Sequence, residues 1–132
     1  MFEKIIQPRF SETDALGHIS NTTLPVWFEE ARQPVFKIFT PTLAIQTWPL
    51  ILARFEIDFT AQIYYGQEVL IKTGISRIGT SSLNVYQEAW QNQQRVAIGT
   101  TTLVHFDYET QKPSPISESQ RDALAAHDFQ PA

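Results

Sequence analysis

Two hydrophobic periodicities divide the chain. Between Leu24 and Phe39 the apolar residues Leu24, Trp27, Phe28, Ala31, Val35, Ile38 and Phe39 recur at helical intervals, and at ~100° per residue they fall within about 120° of one another. Glu29, Glu30, Gln33 and Lys37 take the opposite face, so the pattern predicts one long amphipathic helix lying on a core. Asn21 or Thr22 suits its N-cap, because either side chain accepts from an otherwise unpaired N–H of the first turn. Pro25 fits that turn. Pro34 lacks the N–H that would reach the Glu30 carbonyl, which predicts a bend before the helix ends near Thr40 and Pro41.

After the helix the period changes to two. Residues 50–60 alternate Arg54, Glu56 and Asp58 with Phe55, Ile57 and Phe59, as a strand with one wet face does. Residues 67–78 and 81–91 read as strands joined by a tight turn at Gly79 and Thr80, and residues 91–94 turn the chain into a further strand over 95–107. Ahead of the helix, residues 2–10 suit a first strand broken or bent near Pro8, and Ser11 to Asn21 read as a loop. Residues 109–132 form a peripheral tail, within which 117–124 have the pattern of a short amphipathic helix. The elements predict a single α+β domain over 1–132: a five-stranded, mainly antiparallel sheet covered by one long central helix.

Composition narrows the partners. At 132 residues one core is expected, and the longest apolar stretches, such as Pro49 to Ala53, are far too short to cross a bilayer. No basic flank leads into an apolar segment at the N-terminus, so a cytoplasmic, non-membrane protein is expected. The absence of cysteine removes disulfides, thiolate metal sites and a cysteine nucleophile. A net charge of −4, with Lys and Arg scattered singly, argues against a nucleic-acid partner.

No G-x-S-x-G elbow, H-E-x-x-H helix or glycine-rich phosphate loop is present, and His18, His105 and His127 lack metal-ligand spacing, so no metal site is expected. His105 and His127 read as structural or surface residues. What remains is the loop into the helix, where Asp14, Gly17, His18 and Asn21 cluster. A helix N-terminus offers unpaired N–H groups and the positive end of the macrodipole to a developing oxyanion, and a neighbouring carboxylate acts on a carbonyl or on water. Local physics leaves a second reading of Asp14 open, as a turn-forming or capping side chain.

The run Arg9-Phe10-Ser11-Glu12-Thr13-Asp14-Ala15-Leu16-Gly17-His18-Ile19-Ser20-Asn21, followed by Trp27-Phe28-Glu29-Glu30-Ala31-Arg32, resembles the signature of hot-dog fold thioesterases of the 4-hydroxybenzoyl-CoA thioesterase type. Its G-H-x-x-N form looks most like the long-chain acyl-CoA thioesterase branch that also resembles acyl-ACP thioesterases. The segments 53–59 and 77–82 are similar to the family too, extending the resemblance over roughly residues 3 to 110.

The resemblance implies a sheet wrapped around a helix, homodimers joined sheet edge to sheet edge, further assembly into homotetramers, and an active site at the dimer interface. It implies an acyl-CoA or acyl-ACP substrate, with CoA as part of the substrate and no further cofactor. Asp14 matches the family's nucleophile or general base, Gly17 the turn glycine, and the backbone N–H at or near Asn21 the oxyanion donor. The Asn21 amide either positions substrate or water or caps the helix; His18 either serves the reaction or makes a structural hydrogen bond. Leu24 stands where many relatives carry tyrosine, which implies a drier or reshaped pocket. Leu24, Trp27 and Phe28 are the expected substrate contacts, although an aromatic stripe at this spacing also suits ordinary core. Arg54, Lys72, Arg77 and Arg95 either meet CoA phosphates or are solvated surface. Two rival functions fit the same fold: a non-catalytic acyl-CoA-binding module, and an enoyl hydratase or dehydratase.

Overall fold

The computed structural model describes residues 1–131. Strand β1 (Phe2–Ile6) is followed by a 3-10 turn at Phe10–Glu12, then helices α1 (Leu24–Ala31) and α2 (Gln33–Phe39). Strands β2 (Leu50–Phe59), β3 (Val69–Ile78), β4 (Ser82–Gln91) and β5 (Gln94–Asp107) come next, then a two-residue strand β6 (Lys112–Pro113) and helix α3 (Glu118–Ala125). The sheet order is β1-β3-β4-β5-β2, every neighbouring pair antiparallel, with β6 on the end of β5. The α+β architecture is therefore as expected, but the sheet has six strands rather than five. The β4–β5 hairpin turns on Asn92 and Gln93, with φ of 53° and 61°, the pair of left-handed residues that matches the twist of a two-residue hairpin.

The single long helix is corrected to two short ones. Arg32 sits between them: its N–H still bonds the Phe28 and Glu29 carbonyls, at 3.1 and 3.0 Å. Pro34 then removes the next continuing donor, and Val35 restarts the ladder on the Arg32 carbonyl at 2.9 Å. The cap is corrected as well. Thr23, not Asn21 or Thr22, precedes α1, with helical angles and no side-chain cap bond, because a turn from Ser20 already runs into the helix through Thr23 N–H to Ser20 carbonyl at 3.0 Å.

The apolar stripe of α1 and α2 lies on one face of the sheet. Gly99 on β5 permits the closest approach, since a Cβ there would stand 2.6 Å from the Phe28 ring. The core falls into two clusters. One gathers Ile19, Leu24, Trp27 and Phe28 against Ile71 and Ala97; the other gathers Val35, Phe36 and Leu50 against Leu83, Leu103 and Leu124. A buried polar belt stands at mid-helix, where Arg32 Nη1 donates to Gln87 Oε1 and Thr101 Oγ1, both at 3.2 Å. Gln87 Nε2 in turn donates to the Phe28 carbonyl and Thr73 Oγ1.

The tail is stitched to this frame rather than peripheral. Ser117 and Gln120 form a capping box at the start of α3, and Leu124 is fully buried. Beyond it, Ile75 N–H bonds the His127 carbonyl at 2.8 Å, and Phe129 N–H returns to the Ile75 carbonyl at 2.9 Å. Gly74 makes room, since a Cβ there would overlap Phe129 at 2.3 Å. Among the described residues, no helix is long and apolar enough to cross a membrane.

Candidate active site

The segment ahead of α1 folds as a small hairpin. Thr13 bridges Ile19, with Asp14 N–H to the His18 carbonyl at 2.8 Å and Ser20 N–H to the Glu12 carbonyl at 2.8 Å. Gly17 closes the tip at φ of 79°, a conformation costly for any residue with a Cβ. Asp14 Oδ1 accepts from Leu16 N–H at 2.7 Å and from His18 N–H at 3.2 Å. The turn-forming role and an open carboxylate are thus compatible: Oδ1 shapes the loop, and Oδ2 has no hydrogen-bond partner among the described residues.

Ile19 N–H bonds the Ile63 carbonyl at 2.7 Å, which carries the hairpin onto the segment following β2. Between them lies a cavity of about 640 Å³, walled by Asp14, Ile19, Ser20 and Asn21 on one side and by residues 59–63 on the other. Asn21 is exposed, and neither its backbone N–H nor its amide is hydrogen-bonded among the described residues. Two residues with free polar groups, Asp14 and, in the turn that leads into α1, Asn21, therefore border one cavity.

The other expected residues fall elsewhere. His18 is half-buried, bridges Tyr64 and stacks edge-on against its ring at 5.1 Å, outside the cavity lining. Leu24, Trp27 and Phe28 are buried in the first core cluster and line none of the cavities described, because the apolar stripe faces the sheet while the cavity opens beside the loop. Of the far wall, Phe59 was read only as part of a strand, and residues 60–63 lay outside the motif. Glu12 and Trp27 both lay within it, but no local pattern linked them: Glu12 Oε2 accepts from Trp27 Nε1 at 2.9 Å.

Of the four basic residues considered for phosphates, Arg54 pairs with Glu56, Arg95 with Glu88, and Lys72 stands over the Trp90 ring at 4.9 Å. Arg77 lies 3.5 Å from Ser82 Oγ. Arg32, 3% exposed, has no carboxylate within ion-pair distance among the described residues, and burial lowers its pKa to about 10 against a smaller opposing effect of Glu29.

Residues 8–124 match the thioesterase-like superfamily. The chain belongs to that superfamily. Within this thioesterase-like family it is 32% identical over 120 residues to Uncharacterized protein YsmA of Bacillus subtilis (strain 168), covering 90% of this chain and 82% of that protein. It is similar in structure to a predicted thioesterase from Bacillus stearothermophilus, with a TM-score of 0.95 and 46% identity over 99% of this chain and 98% of that one. A thioesterase from Thermus thermophilus, complexed with coenzyme A and zinc, superposes with a TM-score of 0.83 and 27% identity over 92% and 95% of the two chains. The curled antiparallel sheet against few helices is the hot-dog fold of this thioesterase-like superfamily.

Proposed function

We propose that this protein hydrolyses acyl-CoA thioesters to free acid and CoA, with Asp14 as nucleophile or general base and the Asn21 backbone N–H as oxyanion donor. The observation that carries the reading is the shared cavity, bordered by Asp14 and Asn21, with Oδ1 already occupied and Oδ2 and the Asn21 N–H unpaired. A thiolate leaves readily, so the site has two tasks: place an oxygen about 3 Å from the carbonyl carbon, and stabilise the oxyanion, on the order of 3 kcal/mol per well-placed donor. By the nucleophilic route Asp14 forms a mixed anhydride and expels the thiolate, and water then cleaves the anhydride. By the general-base route Asp14 takes a proton from the attacking water. Incorporation of ¹⁸O from solvent into the Asp14 carboxylate during a single turnover marks the first route.

The branch assigned is the G-H-x-x-N long-chain acyl-CoA type, with acyl-ACP as the alternative carrier; the Thermus relative complexed with coenzyme A favours CoA. His18 braces the hairpin through Tyr64 in this reading, and Leu24 shapes the site from behind. Assembly as a homodimer, and further as a homotetramer, suits the sheet: β2 pairs only with β5, and its other edge carries no strand among the described residues.

The test is thiol release from a panel of acyl-CoAs and acyl-ACPs, with Asp14→Ala and Asp14→Asn beside the wild type. Turnover by the wild type and its loss in both variants is the expected result. Wild-type rates in both variants overturn the assignment of Asp14, and tight acyl-CoA binding without thiol release makes the protein a binding module instead.

A further inference from the structure

We infer that Glu12 is a positioning residue for this reaction, fixing the Asp14 hairpin against α1, the helix that the Asn21 turn leads into; the inference rests on the reading of Asp14 given above. The Glu12 side chain is 10% exposed. Its Oε1 accepts from Arg9 N–H at 2.7 Å, and its Oε2 accepts from Trp27 Nε1 at 2.9 Å with the Arg9 guanidinium 3.6 Å away. Its own carbonyl accepts from Ser20 N–H, the residue before Asn21. One residue thus holds the base of the hairpin two positions before Asp14, the chain just before Asn21, and the interior of α1.

Asp14 has no hydrogen bond of its own to α1: its bonds run to Leu16 and His18 within the hairpin. The covalent path from Asp14 to Asn21 passes through a turn with Gly17 at its tip, a soft connection by itself. Among the described residues, Glu12 to Trp27 is the one side-chain hydrogen bond that joins residues 9–20 to α1. The placing of the hairpin, and of the reacting carboxylate with it, against α1 therefore depends on that bond and on the packing of Ile19. Displacements near 1 Å between reacting groups lower rates by about 100-fold. Only a carboxylate satisfies the geometry, because two N–H donors approach its two oxygens from different sides. A glutamine at this position turns an NH₂ toward one of them.

Glu12→Gln and Trp27→Phe, singly and together, test this with the best acyl-CoA substrate. Each single change is expected to lower kcat about 10- to 100-fold with KM within about threefold, and the double variant is expected to be no slower than the slower single one. Leu124→Ala is the comparator, lowering Tm while its kcat per folded molecule stays at the wild-type value. Trp27→Phe removes the N–H donor while keeping an aromatic side chain in the core, so with its kcat taken per folded molecule it decides the matter should Glu12→Gln fail to fold. Wild-type kcat in Trp27→Phe, or losses that multiply in the double variant, overturns the inference. Retained turnover in Asp14→Asn is a separate failure, of the Asp14 assignment itself.

Discussion

The two ends of the helical layer use one sheet for opposite purposes. At the α1 end the polar groups are left available: Asn21 exposes its N–H, Asp14 keeps one oxygen free, and a cavity separates the hairpin from residues 59–63. At the α2 end the tail is docked onto the core, and the cavity there, about 430 Å³ beside Phe36, Trp48 and Leu50, has a largely apolar wall. Helix α3 seats Leu124 in the second cluster, the Ser117 box satisfies its first turn, and the last strand-like residues pair with Ile75. Unpaired polar groups are tolerated where water or a ligand reaches them and are costly where neither does. On the proposed function, chemistry belongs to the Asp14 end and the docked tail serves stability.

That division breaks most visibly at Asp14. Asp14→Asn is expected to reduce turnover by about 10²- to 10⁴-fold while moving Tm little, as read by thiol-release kinetics beside thermal melts. The reverse pattern belongs to Leu124→Ala, which should lose about 2–5 kcal/mol in urea melts and keep its kcat per folded molecule. A smaller loss of stability, about 1 kcal/mol, is expected for Ser117→Ala, since the Gln120 N–H then has no side-chain acceptor.

A pH titration sharpens the contrast further. Burial, and secondarily the N-terminal amine, lowers the pKa of His127, whose ring stacks on Phe2 at 3.8 Å. Below the unfolded-state value, about 6.5, the unfolded chain binds a proton that the folded chain resists, so stability falls as pH falls. Melts from pH 7.5 to 5 should show that decline, and His127→Phe should flatten part of it. An unchanged slope in that variant means another group controls acid sensitivity.

The sequence made the α1–α2 stripe, the break at Pro34 and the four long strands legible because each is local periodicity or a local missing donor. The tail was not legible, because its docking depends on Ile75 and on the space above Gly74, more than fifty positions away in the chain. Periodicity also identified Leu24, Trp27 and Phe28 as one apolar face without saying what covers it, and sheet rather than cavity covers it. Asp14 and Asn21 were legible from motif spacing. Their partner wall was not, since residues 60–63 come from a bend after β2 and Phe59 was read only as strand, and Glu12 showed no role until Trp27 folded over it.

The Arg32 belt has a consequence for the Asp14 end. Apolar ridges on a sheet admit neighbouring alignments of similar packing quality, and nothing in grease alone chooses among them. A slip of the helix by one residue rotates Arg32 by about 100° and strands its guanidinium away from Gln87 and Thr101. The belt works as an indexing pin, set in the middle of the molecule, that fixes the register of α1 on the sheet and with it the place where the Asn21 turn enters the helix.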